Sequence, residues 1–357
     1  MTASAIVGAP NLLFLGAGAS KPYGKLLMGE FIRSFREKIE SFPEHLGGIR
    51  INSSPLLDAI CAKKEDLEFL IEELDALSSR DYLEKESFDP NPPGSGPFGQ
   101  QWRWPDFQKL AIEARRLLTL LKKEVYHAYR GIPDPAQTSV LAKPISLLYS
   151  GTHPMVVFTT NYDPAVEEFC TVQNFRLTDG FVRTQARNDV WDRSHFDRFA
   201  LPEPGTAEAQ ELSLVLFKLH GSANWFKTQG RIVISHPMYT TDPEYPNVMI
   251  YPATRKVAIE EPFFTAYDYL EQCLDKAESC LAIGYSFRDY DTLMRFKSAK
   301  LSNKHLKIAV LDPNAEAVCE YLQGHGILAY PIPYAFGSDH ESEYLPLITS
   351  GIGGNRL

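Results

Sequence analysis

The sequence is poor in cysteine, in long apolar runs and in positive charge, and each shortage closes off a class of protein. Its five cysteines, Cys61, Cys170, Cys273, Cys280 and Cys319, are scattered with no C-x-x-C pair. That spacing excludes a zinc ribbon and a disulfide framework and fits a reducing compartment. No continuously apolar stretch reaches the roughly 18 residues that a membrane span needs. The opening "MTASAIVGAPNLLFLG" has no basic residue ahead of its apolar segment, so export by a cleaved leader is not expected either. Lys and Arg number 36 against 45 Asp and Glu, and the resulting charge of −9 supplies no overall field to hold nucleic acid. Only a local basic patch remains for that purpose. The expected location is the cytoplasm.

What the chain does have is a recurring pattern. Short apolar, β-branched runs at 12–15, 155–159, 214–219, 280–284, 307–311 and 327–331 are each followed by a turn, and most by a longer amphipathic segment. This is the signature of parallel strands with crossover helices, and the unbroken apolar character suits a sheet covered on both faces. The expected fold is α/β, a Rossmann-like doubly wound parallel sheet with an inserted helical module. One domain would span 1–357, interrupted at about 40–150. Within the insert, "KKEDLEFLIEELDAL" puts Leu67, Leu70, Ile71, Leu74 and Leu77 on one helical face. "FQKLAIEARRLLTLLKKEVYHAYR" does the same with Leu110, Ala114, Leu117, Leu121 and Val125. Between them, "ESFDPNPPGSGPFGQQWRWPDF" is too rich in proline and glycine for regular structure. Its Trp102 and Trp104 either anchor a partner or tuck the loop back onto its own domain.

Four stretches fall at the C-terminal ends of predicted strands, where an open parallel sheet places its ligands. In "GAGAS", Gly16 and Gly18 allow close approach of a pyrophosphate to the backbone, with Ser20 either beside it or acting as a helix N-cap. In "MVVFTTNYDPAVEEF" a strand ends at Thr159 and Thr160, with Asn161 and Asp163 at its tip. Asp163 can be a plain cap for the helix opened by Pro164, whereas Asn161 would face the cleft. In "LVLFKLHGSANWF", His220 ends a strand before Gly221 and Ser222, as a site residue or as a satisfied polar group. "LAIGYSFRDYD" brings Gly284, Ser286, Arg288 and Asp289, and "IAVLDPN" brings Asp312 and Asn314. Ser286 and Asn314 fit turns; Asp312 and Asn314 equally fit hydrogen bonds to a ribose or an adenine edge.

The order of these motifs resembles the sirtuin family, and specifically its bacterial sirtuin-like branch found in antiphage defence. The likeness covers roughly 12–40, 153–230 and 280–315. It implies NAD as substrate, with Gly16, Ala17, Gly18 and Ser20 lining its phosphate and ribose region and Thr160 among the cofactor-binding residues. Asn161 would orient a ribose hydroxyl or water beside the scissile bond, Asp163 would hold the nicotinamide carboxamide, and His220 would be the general base. Gly284 and Ser286 would contact the phosphates or adenosine ribose, and Asp312 and Asn314 the adenosine end.

Two departures bear on activity. Sirtuin deacetylases carry a four-cysteine zinc module after the histidine motif, and here that segment holds only Cys273 and Cys280, so no metal is expected. The arginine-bearing loop that follows the first glycine motif in deacetylases is replaced by "KPYGKLLMGEF". The resemblance therefore implies NAD hydrolysis as a toxic antiphage effector rather than protein deacylation. A non-catalytic nucleotide-sensing subunit is the alternative from another class. Since unrestrained hydrolysis would kill the host, activation is expected through a homo-oligomer or a separately encoded sensor, a HerA-type ATPase or an Argonaute-like protein, with no direct nucleic-acid or membrane contact.

Overall fold

The computed structural model describes residues 3–41, 55–63, 67–86, 104–183, 189–199, 213–234, 247–249 and 260–352. The chain divides into two compact units, one formed by 1–25, 129–250 and 255–357, the other by 26–128 with 251–254.

The first unit holds the strands β1 (Asn11–Leu15), β2 (Met155–Thr159), β3 (Arg176–Thr178), β4 (Phe181–Val182), β5 (Asp189–Trp191) and β6 (Ser213–Lys218). They are followed by β7 (Gly221–Thr228), β8 (Arg231–Ile234), β9 (Asn247–Met249), β10 (Ser279–Ile283), β11 (Lys307–Leu311) and β12 (Tyr330–Ile332). Seven of these make one sheet in the order β12, β11, β10, β1, β2, β6, β3, and every neighbouring pair is parallel.

Strand β1 is central: Leu13 lies beside Val157 of β2 on one side and Leu281 of β10 on the other. Leu12 and Phe14 point into one core with Val156, Phe158, Val215 and Phe217. Leu13 and Leu15 point into the other with Val157, Leu216 and Leu281. Both faces are buried, which is why these strands read as unbroken apolar runs rather than as alternation. Helices cover the two faces: Phe263–Lys276 and Tyr290–Ser302 contribute to the first core, Ala142–Leu148 and Ala165–Gln173 to the second. The sheet is doubly wound, as expected. Strands predicted at 155–159 and 307–311 have those bounds, whereas the last forms at Tyr330–Ile332, the three residues that meet 309–311 of β11.

A second, antiparallel sheet in the order β4, β5, β8, β7, β9 was not foreseen. Strands β4, β5 and β9 are only two or three residues long, below the length at which alternation shows. Its small core is Phe181, Trp225 and Ile232. Strands β7 and β8 join through Gln229 and Gly230, both at positive φ (48° and 73°), the handedness that a two-residue hairpin turn requires.

The second unit is helical, with Met28–Ser41, Pro55–Lys63, Leu67–Glu86 and most of Trp104–Tyr129. Both predicted stripes are buried: Leu67, Leu70, Ile71, Leu74 and Leu77 on one helix, Leu110, Ala114, Leu117, Leu121 and Val125 on another. This unit starts and ends earlier than 40–150, because Leu141, Ile145 and Leu148 pack in the sheet's own core. The loop expected between the two stripes, with Trp102, lies outside the described residues at 87–103, and Trp104 already begins a helix.

Candidate functional site

The sheet extends from β1 through β2, β6 and β3 to one side and through β10, β11 and β12 to the other. Its switch point lies between β1 and β10, the place where an open α/β sheet leaves a crevice at its carboxyl edge.

On the β1 side, Gly16 leads into a 3₁₀ helix, Ala17–Tyr23, rather than directly into an α-helix. Gly16 N–H donates to Ile283 O and Gly18 N–H to Gly284 O, each at 2.9 Å. A Cβ on Gly16 would stand 2.5 Å from Gly284 O, one on Gly18 would stand 2.7 Å from Gly284 Cα, and one on Gly284 (φ +62°) would stand 2.4 Å from Gly18 Cα. All three glycines are therefore demanded by two loops packing backbone to backbone across the switch point. Ser20 is not a helix cap. It is buried and donates its hydroxyl hydrogen to Asp163 Oδ2 at 2.6 Å.

On the β2 side, Thr159 Oγ1 donates to Leu15 O and accepts from Asn161 N–H. Thr160 N–H also donates to Leu15 O, extending the pairing past the strand ends. The Asn161 amide donates to Gly16 O at 2.8 Å and to Ser20 Oγ at 2.9 Å. Asp163 is buried, and its Oδ1 accepts from Ala165 N–H at the start of the following helix. One carboxylate thus serves the start of that helix and the loop after β1. Beneath it, buried Lys218 donates to Asp163 O at 2.7 Å and to Glu167 Oε1 at 2.8 Å. Burial pushes the Glu167 carboxyl up, against the opposing pull of the Lys218 ammonium. Neither Lys218 nor Glu167 was legible as part of the site.

His220 follows β6 and is 3% exposed. Its Nε2 lies 2.9 Å from Asp289 Oδ2. Asp289 caps the helix Tyr290–Ser302 by accepting from Asp291 N–H, and it also accepts from Thr292 Oγ1 at 3.1 Å and Tyr267 OH at 3.4 Å. The neighbouring Gly221 has φ +79°, and a Cβ there would fall 2.1 Å from Val248 O. What comes close at that glycine is the backbone of β9. Ser222 Oγ donates to Tyr162 O and ties the histidine turn to the β2 loop.

Of the remaining expected residues, Ala17 is half-buried and Ser286 exposed after β10, beside an exposed Arg288. Asp312 Oδ1 accepts from Asn314 N–H at 2.8 Å, a turn that starts the helix Ala315–Gly324, with Asn314 exposed. The structure joins Gly16, Ser20, Asn161 and Asp163 in one network, and His220 with Asp289 in another. Ser286, Asp312 and Asn314 stand at the ends of the next two strands. Among the described residues no group of three or more His, Cys, Asp or Glu could hold a metal ion, and no helix is long and apolar enough to cross a membrane. Cys273 and Cys280 are buried, and burial pushes both thiols up.

Fold and site together define a doubly wound α/β protein with polar residues gathered at the switch point of its sheet. Residues 155–330, the span that carries Asn161, Asp163, His220 and Asp289, match the SIR2-like domain. No curated protein matches the chain in sequence. Among solved structures it is similar to a mutant Sir2 homologue in complex with 2′-O-acetyl ADP ribose, at 13% identity and TM-score 0.41 over 99% of this chain and 98% of that one. It is also similar to a Sir2 homolog–NAD complex, at 12% identity and TM-score 0.41 over 98% and 93%.

Proposed function

We propose that this chain cleaves NAD with water, releasing nicotinamide and ADP-ribose. The observation that supports this most is the placement of His220 and Asn161 at the ends of adjacent strands β6 and β2, each held by buried or half-buried partners, within the SIR2-like match. Breaking the bond between C1′ and nicotinamide leaves an oxocarbenium-like ribose, so catalysis needs an oriented nucleophile and a base near neutral pH. A histidine supplies the base, taking the proton of water, or of a ribose hydroxyl, as the new C1′–O bond forms. Asn161 orients that nucleophile without adding charge, its amide already fixed by Gly16 O and Ser20 Oγ.

NAD fits these residues as substrate. A carboxylate has about four lone-pair positions, and Asp163 uses two for Ser20 and Ala165, which leaves capacity for the nicotinamide carboxamide N–H. Gly16, Ala17, Gly18, Ser20, Thr160, Gly284 and Ser286 are assigned to the phosphates and riboses, and Asp312 and Asn314 to the adenosine end. Protein deacylation is disfavoured, because the segment from His220 to the end of β10 holds only Cys273 and Cys280, too few for a four-cysteine module.

On the same resemblance we propose a cytoplasmic effector of antiphage defence, restrained until it forms a homo-oligomer or meets a HerA-type or Argonaute-like sensor. The test is to incubate the purified protein, alone and with the product of a neighbouring gene, with NAD and to follow nicotinamide by chromatography. Release of nicotinamide with equimolar ADP-ribose is expected. NAD left intact under both conditions would overturn the reading.

A further inference from the structure

The carboxylate beside His220 has no role in the roles assigned above. Asp289 stands 69 positions from His220 in sequence and is 8% exposed. Three donors converge on it, Thr292 Oγ1, Tyr267 OH and the Asp291 N–H, and His220 Nε2 stands 2.9 Å from its Oδ2. It also sits at the N-terminus of a 13-residue helix, where the backbone dipoles favour negative charge. A carboxylate that is the acceptor in each of these contacts takes the same part toward Nε2, which puts the proton between the pair on the imidazole.

We propose that Asp289 is a positioning residue that holds His220 in the Nε2–H tautomer, making Nδ1 the nitrogen that accepts the proton in catalysis. The catalytic consequence rests on the hydrolase reading; the tautomer itself does not. When Nδ1 takes a proton, the imidazolium lies against an anion that already faces it, and the charge is stabilised without rearrangement. Among the described residues, Tyr267, Asp291 and Arg295 are linked to the pair from the helices packed there. Tyr267, on Phe263–Lys276, has its phenol pushed up by burial and by Asp289, so it stays neutral and donates. Arg295, on Tyr290–Ser302, lies with its guanidinium 4.4 Å from the centre of the Tyr267 ring. Asp291 supplies the capping N–H and accepts from Arg295 Nη1 through its carbonyl.

The deciding variant is Asp289→Asn, because asparagine caps helices about as well as aspartate and removes only the charge. Histidine-labelled protein is titrated by ¹H–¹⁵N NMR, with the His220 ring assigned from its absence in His220→Gln. Wild type is expected to show Nε2 protonated and Nδ1 titrating, and Asp289→Asn to titrate at lower pH. In turnover, kcat for nicotinamide release should fall about 10²- to 10⁴-fold with KM for NAD little changed, and the acid limb of the kcat profile should move to lower pH. If Asp289→Asn fails to fold, Asp289→Ser, also a capping residue, takes its place. A wild-type His220 carrying its proton on Nδ1, or an unchanged titration in the variant, overturns the proposal. A protein that does not cleave NAD overturns the hydrolase reading, and the titration still decides the pair.

Discussion

Ser20 and Asp163, 143 positions apart in sequence, meet at 2.6 Å in the interior of the sheet's carboxyl edge. That bond joins the first loop of the protein to the tip of β2, and Asn161 closes the ring by donating to Ser20 Oγ and Gly16 O. Ser20→Ala therefore leaves a buried carboxylate short of a donor. An unsatisfied buried group of this kind costs about 1–3 kcal/mol. Urea unfolding should show that loss, and an unchanged midpoint would mean the bond contributes nothing.

Gly284→Ala adds a methyl group 2.4 Å from Gly18 Cα and Ala19 N, at φ +62°. Backbone cannot move aside as a side-chain tip can, so the variant should lose well over the roughly 1–2 kcal/mol that left-handed strain alone costs an alanine. Gly326→Ala is the control, with φ +79° and nothing within 4 Å of its Cβ. Equal unfolding midpoints for the two variants would refute the packing argument.

His220→Ala and Asn161→Ala should each retain the fold and lose NAD cleavage. Removal of a general base costs about 10²- to 10⁴-fold in rate. The measurement is nicotinamide release alongside circular dichroism, and near-normal turnover in either folded variant removes that residue from the mechanism.

Glu167 gives a dependence on pH. Burial raises its carboxyl above the ordinary value of 4.5, so the folded state binds this proton more tightly than the unfolded chain does. Its contribution favours folding fully below that ordinary value and fades as pH rises through the folded one. Glu167→Gln, neutral throughout, lacks this slope. The urea midpoint of the wild type should therefore fall relative to the variant as pH climbs above 4.5 toward neutrality, and a constant difference would show that the carboxyl is not raised.

Chelation supplies a fifth test. With only Cys273 and Cys280 between the histidine turn and the end of β10, and both thiols buried, EDTA should leave the melting temperature and NAD cleavage unchanged. Stoichiometric zinc together with unfolding on chelation would reopen the deacylase reading.

The parallel sheet was legible because burial on both faces writes a strand as a solid apolar run, as in "MVVFT". The helical stripes were legible because Leu67, Leu70, Ile71 and Leu74 repeat at the helical period. The antiparallel sheet was not, since β4 has two residues and no period can be read from two. At the site, the need for glycine at 16 and 18 could be seen, but not that the Gly284 backbone is what requires it. Asp289 stood in view as a polar residue after a strand. Its pairing with His220 depends on how β10 and β6 are laid into one sheet, and single-residue chemistry carries no trace of that.

The placement of β1 between β2 and β10 has a consequence for how the chain is made. The ribosome delivers Gly16 first, Asn161 and His220 much later, and Gly284 and Asp289 later still. A nascent chain that has not yet emerged past β10 has one open edge on β1, no backbone to seat Gly16 and Gly18, and a histidine without its carboxylate. The contacts that seat Gly16 and Gly18 and that set a carboxylate beside His220 therefore form only after Gly284 and Asp289 have been made, so a product that stops before β10 lacks both.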